Sequence, residues 1–188
     1  METKKVILIV ILIFASFLRL WKLDLVPPSL FGDELDLGYH AYSVLKTGKD
    51  YSGNFLPLHF QSIAEWRTPL YLYSAIPTVA IFGISPWGVR LPAAIFGILG
   101  VLTIYFLTSK LTNNKNIGLL SAAVLAISTW HIQYSRAGFE VTEMLLFYLL
   151  GLYFFICGLK NNKLLPLSAF FLALTPWVYS TAKLYLPL

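Results

Sequence analysis

Long uninterrupted apolar runs constrain this chain more than any other feature in it. The first is Val6 to Leu23, VILIVILIFASFLRLWKL, and others begin near Val89, Ile117, Glu140 and Leu164. Such a run has no polar face to offer water. A bilayer-crossing helix satisfies it, because every backbone group is then paired within the segment. A transmembrane barrel would show short alternating segments instead. Composition agrees: 57 % of the residues are hydrophobic and 12 % charged, which excludes a soluble domain. The net charge of +5 is not a nucleic-acid signal, because the lysines lie singly or in pairs between apolar runs, where they orient spans. The single cysteine, Cys157, excludes an intrachain disulfide.

The expected fold is all-α, a polytopic transmembrane bundle. Spans are expected over about 6–23, 89–109, 117–131, 140–159 and 164–180. Lys4 and Lys5 put the N-terminus in the cytoplasm, and Arg19, Trp21 and Lys22 read as a snorkelling and aromatic anchor at the far end of the first span. Pro27-Pro28 stops that span. Residues 24–88 then form an extracytoplasmic loop with juxtamembrane helices. Asp33 opens an amphipathic helix over roughly 34–46, ended by Thr47-Gly48, with Leu35, Tyr39, Tyr42, Val44 and Leu45 as its apolar face. The run 69–84 is short and interrupted by Pro77. Taking it as re-entrant or juxtamembrane puts Lys110/Lys115 and Lys160/Lys163 in the cytoplasm with Lys4 and Lys5. Residues 132–139 are then a short outer loop. The chain stops inside apolar sequence, LYLPL, so residues 1–188 are expected to be the N-terminal part of a longer protein.

In so apolar a chain, Asp33, Glu34 and Asp36 are an anomaly. With this topology they share one side of the membrane with a second acidic group, Glu140 and Glu143, three positions apart and hence on one helical face. Arg67, Arg136 and Lys183 fall on that side too. Carboxylates can move a proton or hold a divalent metal, and cations can grip a phosphate. The acids flank the spans on one side and the span interiors carry almost none, which argues against a transporter fragment. A non-catalytic scaffold is the other rival.

These segments resemble the N-terminal module of the GT-C glycosyltransferases that use polyprenyl-phosphate sugars, above all protein O-mannosyltransferase-like (family 39) and aminoarabinose-transferase-like enzymes. The resemblance rests on PPSLFGDELDLGYHAYSVLKTGKD, RTPLYLY, GVRLPAAIFGILGVLTIYFL and WHIQYSRAGFEVTEMLLFYLLG. It implies sugar transfer on the extracytoplasmic side of a prokaryotic plasma membrane, from a polyprenyl-phosphate donor to a lipid, glycan or protein acceptor. Asp33 would be the general base and Glu34 its catalytic neighbour. Arg136 and Glu140 would form the second motif, with Glu143, Arg67, Tyr39 and Lys183 as substrate contacts. A divalent ion, Mg or Mn, would sit between Asp33 and Glu140.

Overall fold

A computed structural model describes residues 2–62 and 65–184. Among the described residues it is a bundle of eight α-helices with a two-stranded antiparallel pair at one end. The helices are α1 (Glu2–Leu20), α2 (Gly32–Thr47), α3 (Leu70–Phe82), α4 (Pro86–Thr112), α5 (Lys115–Ile127), α6 (Thr129–Ser135), α7 (Val141–Gly158) and α8 (Leu165–Val178). A 3₁₀ turn, Ser180–Leu184, follows α8. The hairpin pairs β1 (Phe60–Gln61) with β2 (Trp66–Arg67), Phe60 opposite Arg67 and Gln61 opposite Trp66.

By length and composition α4 and α7 can cross a membrane, and α5 with α6 makes a third if the pair counts as one broken span. The expected count of five is therefore not reached on those criteria. α1 has 19 residues but carries Glu2, Lys4, Lys5 and Arg19. α8 has only 14. The bundle is still built for an apolar surround: Val6, Ile9, Val10, Ile13, Phe14 and Phe17 of α1 all point outward. α3, at 13 residues with Pro77 inside it, is a short helix packed on α2 and α4, as expected for that run.

Two apolar clusters hold the molecule. One joins α1, α4 and α5 through Ala15, Val101, Tyr105, Leu119 and Ala122. The other joins α2, α3 and α4 through Leu37, Ala41, Tyr71, Ala75, Val89 and Ala93. The second cluster sets α2 against the bundle and so fixes the acidic residues at its start.

The structure adds a break to one expected span and corrects two other local expectations. The run 117–131 breaks at Ser128 between α5 and α6, with a bend of 61°. Much of the expected outer loop 132–139 is helical, as α6. Arg19 does not snorkel. It is fully buried and donates to the carbonyls of Ala126 at 3.2 Å and Leu125 at 3.3 Å in the last turn of α5, the Leu125 oxygen also accepting from the Ser128 N–H at 3.4 Å. It also donates to His131 Nδ1 at 2.7 Å; arginine only donates, so that nitrogen is the acceptor. The guanidinium thus plugs the break from inside. Among membrane-depth backbones, a break is tolerated where protein re-satisfies the freed groups.

Of the expected apolar face of α2, Leu35, Tyr39, Tyr42 and Leu45 are exposed, the placement a helix lying on a membrane surface has, and Val44 is buried with Glu34, Leu37, Gly38, His40 and Ala41 on the opposite side. Packing on α3 and α4 selects the small-residue side, where backbones come close. The helix ends as expected, at Gly48 in the left-handed region, φ 71°.

Candidate active site

The first turn of α2 carries two neighbouring acids that face different ways. Glu34 points inward and is 2 % exposed. Its Oε1 accepts from Arg90 Nε at 2.7 Å and from the Gly138 N–H at 2.8 Å. Its Oε2 accepts from Arg90 Nη2 at 2.9 Å and from the Phe31 N–H at 3.0 Å. The Phe31 bond makes Phe31, not Asp33, the residue that caps the helix. Arg90 spends its remaining donors on the carbonyls of Pro27 at 2.8 Å, Leu23 at 3.2 Å and Ser29 at 2.6 Å. Gly138 permits its bond because a Cβ there would collide with the Val89 side chain. Burial raises the Glu34 carboxyl, but the Arg90 guanidinium and the two N–H groups outweigh it and hold the carboxyl below the ordinary range. Glu34 and Arg90 therefore knit α2, α4, the segment after α1 and the turn before α7 into one body.

Asp33 points the other way. Its side chain is 44 % exposed and meets Arg67 of the hairpin, Nη2 donating to Oδ1 at 2.6 Å. Arg67 also approaches Asp36 Oδ2, with Nε at 2.8 Å, and Glu65 Oε1 at 3.4 Å. The Asp36 contact lies off the hydrogen-bonding axis, so it is an electrostatic contact and not a directed bond.

Asp33 lines an open cleft of about 430 Å³ together with Glu65, Arg67, Tyr134, Glu140 and Tyr179. The two expected acidic groups thus meet through Asp33 and Glu140, the latter flanking the start of α7. Burial pushes the Glu140 carboxyl above the ordinary carboxylate value. Its own N–H and Arg67 oppose this, while Asp33 and Glu65 add to it. The cleft thus pairs a partly exposed carboxylate with a carboxyl that holds its proton more tightly. Both stand at helix N-termini, where the dipole favours negative charge. The far wall is fixed by Thr68 Oγ1, which donates to the Val178 carbonyl at 2.6 Å and so keeps Tyr179, Ser180 and Thr181 on the cleft.

The other expected site residues lie elsewhere. Glu143 is buried between α7 and α3, its Oε1 accepting from Ser74 Oγ at 2.9 Å. Arg136 donates to the carbonyls of Leu18 at 2.9 Å, Trp21 at 2.8 Å and Val26 at 2.8 Å, capping the end of α1 and the turn beyond it. Tyr39 is on the exposed face of α2, away from the cleft. Lys183 is exposed on the 3₁₀ turn whose Ser180 and Thr181 line the cleft. Among the described residues, no three His, Cys, Asp or Glu side chains gather as a metal site. A divalent ion at Asp33 and Glu140 would need further ligands from a bound phosphate, the usual way Mg²⁺ is held. Arg90 was not among the expected site residues. Its signal was an arginine inside the apolar run of α4, where an ionisable group needs a partner.

Residues 67–188 match the family described as Dolichyl-phosphate-mannose-protein mannosyltransferase. The match opens at Arg67, so Asp33 and Glu34 lie before it. A Bacillus subtilis (strain 168) protein, "Putative mannosyltransferase YkcB", is 27 % identical over 181 residues. That alignment takes in 91 % of this chain and 24 % of the relative, so the chain spans about a quarter of its length. No solved structure matches.

Proposed function

The chain belongs to the dolichyl-phosphate-mannose-protein mannosyltransferase family, and on that premise we propose that it supplies the acidic end of a membrane glycosyltransferase site. The donor is a sugar on a polyprenyl phosphate, the transfer occurs on the extracytoplasmic side, and Asp33 is the general base. The observation that carries this reading is the cleft shared by Asp33 and Glu140. Asp33 is half open to that cleft and acts on an acceptor entering from water, whereas Glu34 beside it is saturated. Asp33 removes the proton from the acceptor hydroxyl or amine as that atom attacks the anomeric carbon, and the bond to the lipid phosphate breaks. Glu140, with its tighter hold on a proton, is the residue able to return one to a leaving oxygen. Arg67 balances the carboxylates around it and offers its guanidinium to the departing phosphate. A divalent ion held by Asp33, Glu140 and the donor phosphate would supply charge neutralisation there in place of the Glu140 proton.

The test uses the full-length protein in lipid nanodiscs with a panel of polyprenyl-phosphate sugars, with and without EDTA. Asp33→Asn is expected to lower transfer about 10²- to 10⁴-fold while insertion and thermal midpoint stay as in the parent. Equal turnover by Asp33→Asn would overturn the role of Asp33. A folded parent protein that transfers no sugar from any donor would overturn the reading as a whole, in favour of a scaffold.

A further inference from the structure

Behind Asp36 lies a group that the cleft does not touch. Tyr51, from the loop between α2 and the hairpin, donates its hydroxyl to Asp36 Oδ1 at 2.6 Å. Asp36 Oδ2 lies 2.8 Å from Arg67 Nε. Arg67 Nη2 then donates to Asp33 Oδ1 at 2.6 Å. Three short contacts run in series from Tyr51 to the carboxylate on the cleft wall. Tyr51 itself is not on that wall.

The far end of this series is firmly held. The Tyr51 ring lies flat on His40, with centroids 3.9 Å apart and planes 16° from parallel. His40 is fully buried, and Phe60 meets it edge-on at 5.1 Å. The loop carrying Tyr51 is pinned by Asp50, which accepts from the Asn54 N–H at 2.8 Å and from Asn54 Nδ2 at 2.9 Å. The hydroxyl therefore reaches Asp36 from a fixed support.

Arginine is a planar fork, so fixing one edge aims the other. The Tyr51 hydroxyl on Oδ1 holds the Asp36 carboxylate at the angle that brings Oδ2, and not Oδ1, to Arg67 Nε. Without that hydroxyl, the carboxylate is free to turn and take the guanidinium with both oxygens, the stronger bidentate arrangement. The fork then swings away from Asp33.

We infer that Tyr51 is a positioning residue: through Asp36 it sets the aim of Arg67 on Asp33. This rests on the reading of Asp33 as the base, because only then does its orientation govern turnover.

The experiment again uses full-length protein in nanodiscs. Tyr51→Phe keeps the ring and its stack and removes one oxygen. It is expected to lower kcat on the order of tenfold with KM for the donor unchanged, since small misplacement of a reacting group slows the chemical step. Asp36→Asn should do the same, and the double variant should be no worse than the poorer single one, because both cut one series. An unchanged kcat in Tyr51→Phe, a rise in KM without loss of kcat, or additive losses would each overturn the inference. Hydrogen exchange at residues 31–36 and 65–67 reads the same linkage without turnover: Tyr51→Phe should speed exchange in both segments, and no change in either overturns the linkage outright. If the parent protein transfers no sugar while exchange still rises, the function reading falls and the linkage stands.

Discussion

Asp33 and Glu34 are neighbours in sequence, each bound to one arginine, and they do opposite work. Successive helical residues lie about 100° apart around the axis, enough to send one carboxylate into the bundle and the other to its rim. The Glu34–Arg90 pair is dry and complete: both glutamate oxygens carry two donors each, and the Arg90 side chain is 0 % exposed. The Asp33–Arg67 pair is open, and its arginine is shared among three carboxylates. A saturated pair gives rigidity and has nothing left to offer a ligand. An unsaturated, shared one is weaker and chemically available. The same two residue types thus serve as a fastener and as a reactive edge, distinguished by burial and by the number of partners.

That contrast can be broken by substitution. Arg90→Met should have the largest effect on stability, a loss of about 3–5 kcal/mol, because it strands a buried carboxylate; the thermal midpoint in detergent measures it. A midpoint within a degree or two of the parent protein would mean the buried pair is not a fastener. Arg67→Met should cost much less, about 1 kcal/mol or below, because its partners are partly solvated. Its effect belongs in transfer activity instead. A large stability loss from Arg67→Met would erase the distinction between the two pairs.

Acid gives the finest discrimination. The Glu34 carboxyl in the folded protein lies below its ordinary value of 4.5. The stability it contributes is complete above that value and is lost as pH falls through the folded one. Glu140 is shifted upward, so its term has the opposite slope, strongest at low pH and fading as pH rises past 4.5. Unfolding below the ordinary carboxylate value should therefore be less steep in pH for Glu34→Gln than for the parent. An identical acid slope in the two proteins would remove Glu34 from that role.

How much of this was legible in the sequence depends on how far each partner lies along the chain. The meeting of Asp33 and Glu140 could be read, because each acid borders an apolar run and lysine placement put both borders on one side. The end of α2 at Gly48 could be read from local turn chemistry. The division of labour between Asp33 and Glu34 could not, because it depends on which side of α2 packs on the bundle, and that side carries the polar Glu34 and His40 among Leu37, Ala41 and Val44. The break at Ser128 has no proline or glycine to announce it. It is sustained by Arg19, an arginine whose place at the end of an apolar run looks the same from sequence whether it snorkels or plugs. The contacts of Arg136 with the carbonyls of Leu18, Trp21 and Val26 were illegible for the same reason: a phosphate-binder and a helix cap are spelled alike.

The plug at the α5–α6 break also has a consequence for biogenesis. Arg19 precedes its carbonyl partners Ala126 and Leu125 by 107 and 106 residues, so the ribosome delivers α1 before α5. Through the synthesis of everything between, that guanidinium lacks the inter-helix acceptors it has in the finished protein. α1 is thus completed only when a segment made much later arrives.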